Sequence, residues 1–541
     1  MKKLLFVTCI SIILLSSCDW LFDVLGGGTK TFWAVDNTKN YGDPNYFYQL
    51  TADLLAENDY CKVYVERGTI GGQSTADKVA AEYINIYNKM LGAFGIDFDV
   101  KYNNGTTGKL NTIKLADAYS SQPDGKLTIL LLDIRDGYKE GENDSYVAGY
   151  FYAVDFYTDN RPELYRSNEC DMIYIDTDPA LKKDPADAYS TLAHELQHMM
   201  NFITSNEKRI VYDDKDEPED VILMDTWVNE GLSSAAEYIY TDGHKADRYG
   251  WYYYNGSGPD DKGDVRIKSL IDRGNNFFVW NNRDHDDTCG GSAKCNNPDH
   301  SQYAVLDDYA TVYLFFQWLR IQNNGTGIYK DIISSKYGDY HAVTDAIGAP
   351  YKNNWGLLLR DWLAANYIYD STGTYGYKND FDFRKGGELL SLKGRNLFST
   401  NAQSVNLYPG EGVFSKIDSA YAGSKPVPTD TQTIKYSILT TAPGNSMAQG
   451  ALLTYNVSEI NYNTYNDDGT IKAPIAPSTG TITGVVANVD VADPVNGRSV
   501  ASPFRTTGPY RIGIGDVRRG WFRDFPLDGV LQLQNSLTLR E

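Results

Sequence analysis

Hydrophobic residues recur at helical spacing in several stretches of the chain. In the stretch 186–203, Leu192, Leu196, Met199 and Ile203 lie on one stripe of a helix, which is the face that packs on a core. The other stretches predicted as helices are 75–94, 227–240, 306–321 and 355–367. Apolar runs at 127–132 and 172–175, with the aromatic-rich run 146–156, predict buried strands. Strands interspersed with helices predict an α+β core.

The pattern changes after about residue 395. Short apolar runs at 432–439, 451–457 and 531–539 are separated by glycine, proline, asparagine and aspartate. Such spacing is typical of strands joined by turns. We therefore predict a mixed domain over 30–395, followed by an all-β module over 396–541 with a sandwich as one option.

The amino terminus has the features of an export signal. Two lysines precede an apolar run, 4–15, that is shorter than the roughly 20 residues needed to span a bilayer. The next residues, 15–18 (LSSC), resemble the bacterial lipobox, in which the cysteine is lipidated. The prediction is a signal over 1–18, a lipid on Cys18 and a tether over 19–29, with an ordinary signal peptide as the alternative. The lipid would hold the chain in the bacterial cell envelope, facing the periplasm or the cell surface.

The net charge limits the partners that the chain can have. Aspartate and glutamate number 71 against 50 lysines and arginines, which gives a formal charge of −21 and a pI near 4.7. A surface of this sign repels phosphate backbones. We therefore expect no nucleic-acid partner. The chain is also expected to be a monomer, with no membrane contact beyond its lipid.

Four cysteines remain after the signal and the lipidated residue are set aside. An even number in an exported chain favours disulfides. Cys289 and Cys295 close a short loop and are predicted to pair, which leaves Cys61 to pair with Cys170. The alternative for the first pair is a second metal site shared with His285 and His300. We favour the disulfide, because the loop lacks the Cys-x-x-Cys spacing of zinc knuckles.

The candidate chemistry centres on the sequence His194-Glu195-Leu196-Gln197-His198. Residues four apart on a helix share a face, so both imidazoles can reach one metal ion, and neutral imidazole is a good zinc ligand. We expect this face to lie in a cleft, opposite the apolar stripe. Glu195 projects to the rim of the same site, where its carboxylate could hold a water molecule and accept its proton.

A third ligand is expected, because a catalytic zinc takes three protein ligands and keeps one position open. Glu230, in the sequence WVNEG on the next predicted helix, is the candidate. The competing interpretation is that the HExxH pattern arose by chance on a surface helix and that Glu230 is an ordinary solvated carboxylate on its own helix. The chain has only six histidines, and two of them fall at the required spacing around a glutamate, which favours the metal site.

These motifs resemble those of the gluzincin peptidases, which pair HExxH with a downstream glutamate. The sequence HELQHMMNF, followed about thirty residues later by WVNEGLSSAAEYI, resembles more closely the hyicolysin family of bacterial zinc metallopeptidases. ENDYCKVYVE and DDYATVYLFFQWL extend the resemblance over roughly residues 30–370. It implies a zincin-like catalytic domain in which His194, His198 and Glu230 hold one zinc ion and Glu195 is the general base.

Proteolysis of this kind also needs a group that stabilises the oxyanion, usually a tyrosine or histidine at the cleft edge. The resemblance places Tyr309 in this role, and core packing of the same side chain is an equal alternative. Tyr313 and His244 are further candidates. Ser234 and Glu237 share the helical face of Glu230, so they could orient the histidine ligands.

The predicted function is zinc-dependent hydrolysis of peptide bonds in proteins outside the cytoplasm, by an endopeptidase. An aminopeptidase is one alternative, although the glycine-rich motif by which those enzymes anchor substrate is not evident. A surface adhesin, or a lipoprotein that binds carbohydrate or protein on a peptidase-like scaffold, is another, but it has no need of Glu195. The acidic stretch 213–220 could bind a structural calcium ion, and a solvated loop is the favoured interpretation.

Overall fold

The computed structural model describes most residues between 28 and 380 and short segments beyond them. The described ranges are 28–39, 43–95, 126–141, 146–156, 165–212, 218–245, 300–368 and 373–380, with residues 159 and 248 and strand segments between 384 and 540. The predicted signal, Cys18, the Cys289–Cys295 pair and most of the acidic stretch 213–220 lie outside them. Within these ranges, no helix has the length and apolar character that crossing a bilayer requires.

The described residues fall into two compact units. The first holds those up to residue 91, those from 126 to 199 and the final strand. The second holds residues 92–95 and those from 200 to 496, so the division falls inside two helices, between residues 91 and 92 and between residues 199 and 200. The boundary predicted at residue 395 lies outside the described residues, and that division of the chain stays a prediction.

The first unit is built on a six-stranded mixed sheet. Its strands are β1 (Thr29–Val35), β2 (Phe47–Glu57), β3 (Cys61–Glu66), β4 (Leu127–Leu132), β6 (Gly149–Phe151) and β7 (Met172–Asp176). Their spatial order is β1-β2-β3-β4-β7-β6, with β3, β4 and β7 parallel and the outer pairs antiparallel. Helix α1 (Gln73–Phe94) lies between β3 and β4 in the chain. The short strand β5 (Tyr146–Val147) pairs with β18 (Leu539–Arg540).

The burial of the central strands follows from their sequences. Every residue of β4 (LTILLL) is buried, as expected for a parallel strand covered on both faces. Residues of β3 alternate between buried and half-buried, so one face of that strand packs more tightly than the other. The mixed sheet with its helices is consistent with the α+β core that the sequence predicts. The run 146–156, in which strand was predicted, forms the short strands β5 and β6 and then a 3₁₀ turn, Ala153–Phe156.

The second unit is mainly helical in the part that the structure describes. Its helices are α3 (Thr226–Thr241), α4 (His300–Gln322), α5 (Gly327–Ile333), α6 (Tyr340–Ile347) and α7 (Trp355–Ile368). A hairpin of β8 (Ile210–Tyr212) and β9 (Pro218–Val221) precedes α3. The Trp227 ring lies 6.1 Å from that of Phe315 and 5.8 Å from that of Trp355, between centroids, so α3, α4 and α7 share an aromatic core.

Strand segments follow the helices toward the carboxy terminus. They are β10 (Arg384–Lys385), β11 (Glu388–Leu389), β12 (Ser404–Leu407), β13 (Gly412–Lys416), β14 (Ile434–Leu439), β15 (Ala451–Asn456), β16 (Ser478–Thr481) and β17 (Val495–Asn496). Four of them form an antiparallel sheet in the order β13-β15-β14-β17. Most of the range 396–541 lies outside the described residues, so the all-β module stays a prediction.

Helix α2 (Pro185–Lys208) carries the HExxH sequence and joins the two units. It starts where Asp184 accepts hydrogen bonds from the backbone N–H groups of Ala186 and Asp187, at 3.1 and 3.2 Å. His194 and His198 are both fully buried, so their side chains are not exposed to solvent, and the cleft expected at this face stays a prediction. The helix is covered on several sides, and its side chains contact β6 near Thr191 and α3 near Asn201.

The predicted disulfide between Cys61 and Cys170 is also wrong. Both cysteines are buried free thiols. Cys61 opens β3 and Cys170 precedes β7, with β4 between them. Two strand spacings are about 9.5 Å, whereas a disulfide needs Cα atoms within about 7 Å. The Cys170 Sγ lies instead 3.6 Å from the Met172 Sδ.

Candidate metal centre

The structure brings the three predicted ligands together. His194 and His198 lie one turn apart on α2, and Glu230 lies on α3. Each offers one ligand atom, and these atoms all lie within 4.8 Å of one another. The two imidazole rings meet edge to face, with centroids 4.8 Å apart. Two imidazoles and a carboxylate therefore converge on one point.

The chemistry of this donor set fits a metal ion. Two nitrogen ligands and one carboxylate are the set found in many catalytic zinc sites, which leave a fourth position for water or substrate. All three side chains are buried. Buried charge is costly unless it is balanced, and a divalent cation between the three groups would balance the charge of Glu230.

Glu195 is anchored to the edge of the sheet. Its side chain is fully buried, and its Oε2 accepts a hydrogen bond of 2.9 Å from the backbone N–H of Phe151 on β6. The strand can approach because Gly149 has no side chain. A Cβ at Gly149 would lie 3.0 Å from the Thr191 Cγ2 on α2 and 2.8 Å from the Tyr174 carbonyl oxygen. The glycine thus allows β6 to lie against the turn of α2 that precedes Glu195.

A second glycine sets the position of Glu230. A Cβ at Gly231 would lie 2.1 Å from the Cε2 of Phe316, a distance that real atoms do not reach. The absence of a side chain therefore lets α4 pack directly on α3 beside the carboxylate ligand. The start of α3 is fixed as well, because the backbone N–H of Asp225 donates to the Gly338 carbonyl at 2.7 Å.

The structure places Tyr309 in the interior of α4. Its side chain is 1 % exposed, and the guanidinium of Arg248 lies 5.0 Å from its ring centroid, within the range of a cation–π contact. The role of Tyr309 in stabilising an oxyanion stays a prediction.

Tyr313 and His244, the other two candidates, contact each other. The Tyr313 hydroxyl lies 3.3 Å from His244 Nδ1 and accepts a 2.9 Å hydrogen bond from the backbone N–H of Lys245. On its other side, His244 Nε2 lies 3.0 Å from the Asp380 carboxylate. Burial lowers the pKa of His244 below its ordinary value, although Asp380 acts in the opposite direction. Both ring nitrogens are thus held by groups of the second unit.

The candidates for orienting the histidines have different surroundings. Glu237 is fully buried and forms an ion pair with Lys245. This contact supplies the counter-charge that a buried carboxylate needs. Ser234 is buried one turn beyond Glu230, and its proposed contact with a histidine ligand stays a prediction.

Sequence reasoning missed the groups that hold the centre in place. Phe151 contributes only a backbone N–H, so its side chain carries no signal of that contact. Asn201, which donates to Asn229 across the two helices, follows His198 by three residues, and Asn229 directly precedes Glu230. A polar residue close in sequence to a metal ligand is the signal that could have identified Asn201 and Asn229.

The donor set of this site is one that metallopeptidases use. A comparison with curated proteins finds 29 % identity over 317 residues with a neutral metalloprotease, ShpI, of Staphylococcus hyicus. The aligned part is 57 % of this chain and 59 % of that protein, so the chain matches less than two thirds of its relative. No family model matches the chain.

Proposed function

We propose that the chain is a zinc-dependent endopeptidase of the gluzincin type that hydrolyses peptide bonds of proteins outside the cytoplasm. The observation that carries this proposal is the convergence of His194, His198 and Glu230. The similarity to a neutral metalloprotease adds support. Zinc is the proposed ion because imidazole and carboxylate ligands in a three-residue set suit it.

Glu195 is the proposed general base. A zinc ion at this centre would supply Lewis acidity, which polarises the scissile carbonyl and lowers the pKa of water to about 7. Glu195 then takes the proton of the attacking water and returns it to the departing amine. Because Phe151 holds one carboxylate oxygen, the side chain keeps a single orientation during both transfers.

The position of β6 supports a peptide substrate bound in an extended form. Among the described residues, β6 is the last strand of the six-stranded sheet, and it lies beside Glu195. An extended peptide can add to such an edge through main-chain hydrogen bonds. This mode of binding does not depend on a free amino terminus, and it therefore favours an endopeptidase over an aminopeptidase.

Metal analysis combined with a casein cleavage assay tests the proposal. We expect one zinc ion per chain in the wild type and in Glu195→Gln, with loss of cleavage only in the variant. A peptide blocked at both ends separates the two activities, since an endopeptidase cleaves it and an aminopeptidase does not. Bound zinc without cleavage of varied proteins by the wild type would instead favour the adhesin.

A lipid anchor on Cys18 is the proposed location signal. It rests on the resemblance of residues 15–18 to a lipobox, and it would place the enzyme in the bacterial cell envelope. Partition into detergent of the full chain, compared with Cys18→Ser, tests it. We expect the wild type in the detergent phase and the variant in the aqueous phase, and equal partition of the two would contradict the anchor.

A further inference from the structure

A buried guanidinium lies directly after the HExxH helix. Arg209 is 2 % exposed, although arginine is rarely buried without strong compensation. It donates to the carbonyl oxygens of Ile222, Ile333 and Ser335 at 3.1, 3.2 and 2.8 Å. It also donates to Asn201 Oδ1 at 3.2 Å and to Ser205 Oγ at 2.6 Å. These uncharged acceptors use all five N–H groups of a guanidinium.

Arg209 determines how the Asn201 amide is oriented. A guanidinium can only donate, so the Asn201 oxygen must face it. The Asn201 Nδ2 then points toward α3, where it donates to the Asn229 Oδ1 at 2.5 Å. Asn201 and Asn229 are each 1 % exposed, and a hydrogen bond in such surroundings is costly to leave unmade.

These contacts link the helix of the histidines to the helix of the carboxylate. Asn201 lies three residues after His198 on α2, and Asn229 directly precedes Glu230 on α3. One residue corresponds to a rotation of 100° about a helix axis. Fixing the direction of Asn229 therefore fixes the direction in which Glu230 leaves α3. Arg209 also holds the carbonyl of Ile222, in the segment that leads into α3.

We propose that Asn201, oriented by Arg209, is a positioning residue for the metal centre, and that it sets the metal affinity by holding Glu230 toward the two histidines. The inference rests on the proposed function in so far as that function requires a metal at this centre. Groups that orient metal ligands typically change metal affinity by about 10- to 100-fold when they are removed.

The test compares Asn201→Leu with Asn206→Leu in the full chain. Asn206 is a matched control, because it lies on the same helix, is 4 % exposed and donates through its side chain to the Phe202 carbonyl at 2.9 Å, one turn back on that helix. Zinc affinity is measured by competition with a chelating dye. The visible absorption of the cobalt-substituted protein reports the ligand geometry, and urea unfolding of the metal-free protein reports stability.

We expect zinc to bind about 10-fold or more weakly to Asn201→Leu, with an altered cobalt spectrum. Asn206→Leu should lose similar stability and keep its zinc affinity within about twofold, since its bond is local to α2. Asn201→Ser, a smaller change, is measured in parallel so that a failure of the leucine variant to fold leaves the comparison intact. Zinc affinity within twofold of wild type in both Asn201 variants would overturn the inference, as would an equal loss in Asn206→Leu. A wild type that binds no zinc would refute the proposed function instead.

Discussion

The backbone N–H of Phe151 and the Oε2 of Glu195 are joined by a hydrogen bond of 2.9 Å. The bond runs from a strand at the edge of the sheet to the residue between the two histidine positions of α2. It draws on a main-chain N–H, so it can form with any residue other than proline at position 151. The glutamate is therefore fixed by the sheet as well as by its own helix.

Shortening the Glu195 side chain should lower the catalytic rate and leave metal binding unchanged. In Glu195→Asp, the carboxylate is one methylene shorter and cannot both accept from Phe151 and reach the reacting water. We expect casein cleavage to fall by about 10²- to 10⁴-fold, which is the usual contribution of a positioned base, while zinc content stays at one per chain. The control is Glu207→Asp, the same change at an exposed position of α2, which should keep full activity. Full activity in Glu195→Asp would argue against a general base at this position.

Gly231→Ala should destabilise the protein and weaken the metal centre together. The added Cβ would lie 2.1 Å from the Phe316 ring and force α3 and α4 apart. Overpacking of this kind costs about 1–3 kcal/mol, which urea unfolding of the metal-free protein measures.

Gly92→Ala is the matched control for this change. Gly92 also lies in a helix, α1, but no atom stands within 4 Å of the added Cβ. Alanine there should be neutral or stabilising by up to about 1 kcal/mol. If Phe316→Leu partly restores the stability of Gly231→Ala, the clash with the Phe316 ring is the cause of the loss. An equal loss of stability in Gly231→Ala and Gly92→Ala would exclude that clash as the cause.

Helical periodicity predicted much of the fold because a repeated apolar stripe is a local property. The stretch 186–203 lies within α2 (Pro185–Lys208), and 227–240 lies within α3 (Thr226–Thr241). The short helices α5 and α6 were not predicted, since 7 and 8 residues offer too few repeats of the pattern. Spacing along one helix also predicted which side chains of HExxH share a face.

Features that depend on packing between distant segments could not be predicted. An even count of cysteines suggested a bond between Cys61 and Cys170, but only the strand order shows that β4 separates them. The burial of the two histidine side chains could not be predicted for the same reason, since periodicity identifies one packed face of a helix and does not show what covers the opposite face. Glu230 was predictable because its motif resembles a known one, whereas the link from Asn201 to Asn229 joins residues 28 positions apart.

The two buried cysteines should be present as thiols. Burial raises the pKa of both Cys61 and Cys170 to about 12, so little thiolate exists at neutral pH and reaction with thiol reagents is slow. We expect neither residue to be labelled in the native protein and both to be labelled in denaturant without reductant. Peptide mapping identifies the labelled positions. A Cys61–Cys170 cross-link in the unreduced map would contradict the structure.

Asp155 should make the folded state less stable as the pH rises. Burial raises its pKa from 3.8 to about 7, although hydrogen bonds from Tyr174 and Asn168 act against this shift. Between these two values the folded protein therefore binds more protons than the unfolded chain, so the contribution of Asp155 to the free energy of unfolding falls with rising pH. In Asp155→Asn the amide cannot ionise, and Tyr174 can turn its hydroxyl to accept from it. Urea unfolding of both proteins from pH 4.5 to 8 should show the wild type losing stability relative to the variant across this window. A difference that stays constant with pH, or grows in favour of the wild type, would show that Asp155 is ionised throughout in the folded protein.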